Sequence, residues 1–135
     1  MNGEQIRVLI IDDEKAHAEA VAEVLERVNY ECVLATSGAA GARLIEQEDF
    51  DVVLTDLRMA DVDGLAILRR AKQELPDAEV VVITGHGAVQ TARAALKEGA
   101  ADYLEKPVDM AELRAIVDRA AERVRLAKAN RELRR

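Results

Sequence analysis

Three features of the sequence predict an α/β fold built on a mainly parallel, five-stranded sheet. Five short runs rich in Val, Ile and Leu, at residues 6–11, 30–35, 51–55, 79–84 and 101–105, alternate with longer segments of helical period. These runs are apolar almost throughout rather than at every second residue, which is the pattern of strands covered on both faces. Carboxylates close two of them: V-L-I-I-D-D ends on Asp12 and Asp13, and D-V-V-L-T-D ends on Asp56. The pattern is (βα)5, with right-handed crossovers and a ligand site at the carboxyl ends of the strands. The acids fall there.

Each helix carries its own signals. Ala20, Val21, Val24, Leu25 and Val28 recur at spacings of three and four, which gives the first helix one apolar face. Ser37-Gly38 precedes the second helix, Asp63-Gly64 opens the third, and Pro76 follows it. Gly99, in K-E-G-A, stops the fourth where a left-handed residue is expected. The last helical pattern, from about 110 to 134, is the longest. Its stripe of Leu113, Val117, Ala120, Val124 and Ala127 gives way to a second phase at Leu126, Asn130 and Leu133. Such a shift marks a helix that leaves its own core and pairs with another helix, with a solvated tail as the alternative. The expected division is a globular domain over 1–122 and a helical linker or coiled-coil extension over 123–135.

A chain of 135 residues is long enough for one domain that buries roughly two-thirds of the surface of its unfolded form. The single cysteine, Cys32, sits among apolar neighbours in Y-E-C-V-L-A and reads as a buried, reduced strand residue in a cytoplasmic protein. No stretch approaches the roughly 20 apolar residues of a membrane span. The net charge of -7 conceals two regions: residues 1–118 hold 12 Lys/Arg against 24 Asp/Glu, whereas residues 119–135 hold seven against two. With Phe50, Tyr30 and Tyr103 as the only aromatics, there is little for base stacking, and direct nucleic-acid binding is not expected. A solvated helix face is the expected use of the arginines in the tail.

Three carboxylates gathered at one sheet edge raise one another's pKa unless a cation relieves them. Lys106, near the end of the run A-D-Y-L-E-K-P, supplies one positive charge, and a divalent ion with hard oxygen ligands would supply the rest. This is the layout of a site that binds Mg2+ and accepts a phosphoryl group on a carboxylate, with Asp56 as the nucleophile and Asp12 and Asp13 as metal ligands. Thr84 closes the fourth strand in V-V-V-I-T-G-H-G and can donate to a phosphoryl oxygen, while Gly85 and Gly87 leave room for its approach. His17 and His86 lack paired ligand spacing and read as surface or loop residues.

Asp12-Asp13, Asp56, Thr84, Tyr103 and Lys106-Pro107, in that order at successive strand ends, closely resemble the receiver domain of bacterial two-component response regulators over residues 5 to 122. D-L-R-M, T-G-H-G and D-Y-L-E-K-P are similar, more narrowly, to receivers of the nitrogen-regulatory class, which precede an ATPase that activates sigma-54 polymerase. The resemblance implies a flavodoxin-like sheet of order 2-1-3-4-5 and Mg2+ on Asp13, Asp56 and the backbone carbonyl of Arg58, with Asp12 assisting. It further implies phosphorylation of Asp56 by a sensor histidine kinase, a switch through Thr84 and Tyr103 with His86 beside them, and a cis Lys106-Pro107 bond. The tail R-L-A-K-A-N-R-E-L-R-R has the look of a fragment of a longer regulator, and a homodimer through the last helix is expected.

One loop departs from the family pattern. Where M-P-x-M-D-G is usual, this chain reads Met59-Ala60-Asp61-Val62-Asp63-Gly64, so the proline that fixes the loop backbone is missing. Two alternative functions are a stand-alone dimerisation or interaction module and an aspartyl-phosphate phosphatase. The phosphatase reading wants a second acid two residues beyond the nucleophile, where Arg58 stands. A flavin or nucleotide site wants Gly, Ser and Thr after the first strand, where this chain has D-D-E-K.

Overall fold

The computed structural model describes residues 5–85 and 88–133, the side chain of Val89 excepted. Five strands and five helices alternate: β1 (Arg7–Ile11), α1 (Lys15–Glu26), β2 (Glu31–Ala35), α2 (Gly38–Gln47), β3 (Val52–Asp56), α3 (Gly64–Glu74), β4 (Glu79–Thr84), α4 (Val89–Lys97), β5 (Asp102–Glu105) and α5 (Met110–Leu133). All strand pairs are parallel, in the order β2-β1-β3-β4-β5. Each strand lies within one residue of its predicted bounds.

Alternation along the strands divides the core in two. Val8, Ile10, Leu54, Val81, Ile83 and Leu104 face one side, where α1 covers them with Ala18, Val21 and Leu25, and α5 with Leu113, Ile116, Val117, Ala120 and Val124. Leu9, Ile11, Val53, Val80 and Val82 face the other, against Ile45 of α2, Ile67 and Leu68 of α3 and Ala95 of α4. Both faces being covered is why the strands read as continuous apolar runs. The local signals hold as well: Ser37 Oγ accepts from Ala40 N at 3.1 Å, Asp63 Oδ1 accepts from Ala66 N at 2.9 Å, and Gly99 ends α4 at φ +110°. That last backbone strains any residue with a side chain.

Four expectations need correction. Ala20, assigned to the apolar face of α1, is exposed, since the buried face runs through Ala18, Val21, Ala22 and Leu25. Cys32 is half-buried rather than buried, because β2 is an edge strand; burial still pushes its thiol up to about 12. Ala127, assigned to the core stripe, is exposed, since the buried face of α5 ends at Val124. The cations of the tail are not simply solvated. Arg119, Arg123, Lys128 and Arg131 pair with Asp102, Glu79, Asp51 and Asp77, which lie at or just before the amino ends of β5, β4 and β3. These ion pairs tie the second half of α5 to the amino, lower edge of the sheet as far as residue 131. No described helix is long and apolar enough to cross a membrane.

Candidate functional site at the carboxyl edge of the sheet

The parallel register brings the predicted residues together. Ile11 pairs with Thr55, so Asp12 and Asp56 leave adjacent strands at the same level, and Thr84 pairs with Glu105, which places Lys106 one residue beyond. Asp12, Asp13 and Asp56 each offer a carboxylate oxygen, and these oxygens lie within 4.8 Å of one another. Asp12 and Asp56 are buried, and Asp13 is exposed. A set of hard oxygens, open to solvent on one side, fits a small divalent cation that keeps some of its water, as Mg2+ does.

Lys106 closes the site from β5. Its ammonium lies 2.9 Å from Asp56 Oδ2, 3.3 Å from Glu14 Oε1 and 4.0 Å from Asp12 Oδ2. Burial is the largest single influence and works against the charged lysine, but the hydrogen bonds and charges of Asp56, Asp12 and Glu14 together outweigh it and hold the ammonium above its ordinary pKa. Asp56 is pushed up to about 6, first by burial and then by the charge of Asp12, against the opposing pull of Lys106. One lysine therefore does not neutralise this edge.

Thr84 is buried at the end of β4, with its hydroxyl donating to the Ala88 carbonyl at 3.4 Å. A side chain at Gly85 would meet no atom of the described residues within 4 Å. Tyr103 is partly buried against the core between the sheet and α2, α3 and α4. Arg58, two residues beyond Asp56, has an exposed side chain in the β3–α3 loop. His86 and Gly87 lie outside the described residues. The Lys106-Pro107 peptide is cis, as the resemblance implied.

Sequence reasoning missed two residues. His17, expected at the surface, stands in the first turn of α1 with Nδ1 2.5 Å from Asp12 Oδ2. Glu14 shares Lys106 with Asp56, and its backbone N–H donates to Asp12 Oδ1 at 2.9 Å. The available signal was spacing: a residue five past a strand-end acid comes back over it when a helix starts at once. Among the described residues, every buried side-chain nitrogen and oxygen has a hydrogen-bond partner.

Residues 8–118 match the model of the response regulator receiver domain. The transcriptional regulatory protein ZraR of Escherichia coli (strain K12) is 38% identical over 120 residues, which are 89% of this chain and 27% of that protein. The photosynthetic apparatus regulatory protein RegA of Rhodobacter capsulatus is 35% identical over 107 residues, 79% of this chain and 58% of that one. Among solved structures, a response regulator receiver domain protein from Clostridium thermocellum superposes with a TM-score of 0.85 at 35% identity, over 90% of this chain and 98% of that chain. NtrX from Brucella abortus, in complex with ADP, gives 0.88 at 30% identity, over 96% of this chain and 30% of that chain. The chain thus spans under a third of ZraR and of NtrX. With the fold, the sheet order and the acid-lysine edge in agreement, this chain belongs to the response regulator receiver domain family.

Proposed function

We propose that this receiver takes a phosphoryl group from a sensor histidine kinase onto Asp56. The observation that carries the reading is the buried Asp56 carboxylate, bonded to Lys106 and set beside Asp12 and Asp13. A carboxylate oxygen of Asp56 attacks phosphorus, the P–N bond of the phosphohistidine breaks, and the imidazole leaves with the electron pair. Mg2+ would be held by Asp13, Asp56 and the Arg58 carbonyl, with Asp12 assisting; bound there, it would offset the charge of the phosphoryl oxygens. Lys106 would pass from Asp56 Oδ2 to a phosphoryl oxygen. Thr84 would give up the Ala88 carbonyl and donate to another, and Tyr103 would move into the space vacated. Incubation with acetyl phosphate and Mg2+ should raise the intact mass by one phosphoryl group; a wild-type gain in Asp56→Asn would overturn the assignment.

The output we propose is control of sigma-54-dependent transcription, supported by likeness to ZraR and NtrX, in a cytoplasmic regulator whose receiver does not itself contact nucleic acid. We propose a homodimer through α5, with the two helices parallel. Leu126 and Leu133 are 60% and 84% exposed, seven residues apart, on the side of α5 turned away from Lys128 and Arg131. Asn130 between them would set the register. Val124 is buried in the globe, so substitution tests the dimer more cleanly than truncation. Sedimentation should show wild type associating and the Leu126→Glu/Leu133→Glu variant monomeric; a monomeric wild type at high micromolar concentration would leave the tail a solvated linker.

A further inference from the structure

The β3–α3 loop lacks its usual proline, and the structure contains a different restraint in its place. Asp61 turns away from the acidic site toward the start of α2: Oδ1 accepts from Gly38 N at 3.0 Å and from Val62 N at 2.8 Å, and Oδ2 accepts from Ala39 N at 2.9 Å. With Ser37 bonded to Ala40 N, the first three free N–H groups of α2 are satisfied, two of them by a residue more than 20 positions away. Backbone N–H groups, Ala39 first, hold the Asp61 carboxyl below its ordinary pKa. The contact is close on the other side too, because a Cβ on Gly38 would stand 2.6 Å from both Cβ and O of Val62. The same loop meets the acidic site where Ala60 N approaches Asp13 Oδ2 at 3.3 Å, and it is closed at its base by Gly64 N donating to Leu57 O at 2.9 Å.

We infer that Asp61 is a positioning residue for the acidic site: by clamping the β3–α3 loop to the start of α2, it sets where the backbone after Asp56 lies. The inference rests on the metal reading proposed above, in which the Arg58 carbonyl is a ligand. A segment of loop that must present one carbonyl at a fixed height is costly to leave free, and here the tie comes from a neighbouring helix instead of a fixed φ angle. Asp61 therefore serves as an anchor beside the proposed metal site rather than as a ligand in it.

Two variants attack the contact from opposite sides: Asp61→Ala removes the acceptor, and Gly38→Ala pushes the loop away while keeping Asp61. Calorimetric Mg2+ titration, well below the melting temperature of each protein, should show affinity falling about tenfold in both. Asp61→Asn, which keeps one acceptor oxygen, should fall between them and wild type. In metal-free protein, amides of residues 58–62 should exchange faster in both alanine variants, and the double variant should be no worse than the poorer single one, because both break one contact. A fall in melting temperature alone, with wild-type Mg2+ affinity and unchanged exchange over 58–62, would reduce Asp61 to a helix cap and overturn the inference. Absence of Mg2+ binding by wild type would instead overturn the metal reading, an outcome distinct from wild-type and Asp61→Ala proteins that bind equally well.

Discussion

The two edges of the sheet carry similar acids and treat them in opposite ways. At the amino edge, Asp51, Asp77, Glu79 and Asp102 each meet a cation of α5. At the carboxyl edge, Asp12 and Asp56 share Lys106, which also serves Glu14, and Asp13 stands beside them. Negative charge is thus cancelled where the chain only has to hold together, and left in surplus where a cation and an anion have to arrive. Exposed pairs at the lower edge contribute little each, whereas buried, underpaired carboxylates at the upper edge cost stability that a bound cation returns.

The sharpest break in this contrast is Asp56→Asn. It should abolish the Mg2+-dependent mass gain from acetyl phosphate, and it should stabilise the metal-free protein by on the order of 1–3 kcal/mol by removing a buried carboxylate with a raised pKa. Urea unfolding at pH 7 measures the second effect; equal or lower stability in the variant would mean that Lys106 already balances Asp56.

Acid titration sharpens the same point. Asp56 binds its proton more tightly in the folded than in the unfolded chain, so its contribution to stability is greatest below pH 4 and is lost as the pH rises through about 6. Over that window metal-free wild type should lose stability relative to Asp56→Asn, and saturating Mg2+ should remove the loss. Melting curves at pH 4 to 8 would show a constant offset between the two proteins if the edge were already neutral.

The lower edge should respond more weakly. Lys128→Ala and Arg131→Ala should each cost roughly 0.2–1 kcal/mol, with most of the loss disappearing near 1 M salt. Neither should change Mg2+ affinity. A salt-insensitive loss would show that the side-chain stems pack, and a changed metal affinity would mean that the two edges are coupled through the sheet.

Much of the upper edge was legible before any fold was known, because strands of apolar residues that end in acid leave those acids at one level. His17 and Glu14 were not. Their roles depend on how tightly α1 turns back over β1, which places His17 on Asp12 and Glu14 on Lys106. The lower edge was legible only as a charge asymmetry: the tail was visibly basic and the globe acidic, but the partners of Arg123, Lys128 and Arg131 lie 44 to 77 positions away in sequence.

By itself the sequence determined the alternation of strands and helices, the bounds of the strands to about a residue, the parallel sheet and the identity of the acidic residues at its carboxyl ends. These follow from periodicity and punctuation, which act over a few neighbours along the chain. Only the tertiary structure decided that the end of α5 is tied to the lower edge, that Asp61 bonds to the start of α2, and that His17 faces Asp12. Each is a pairing of charges or hydrogen-bonding groups between elements. Such pairs are selected by where packing of the apolar core leaves them, and the core sets those distances only once both faces of the sheet are covered.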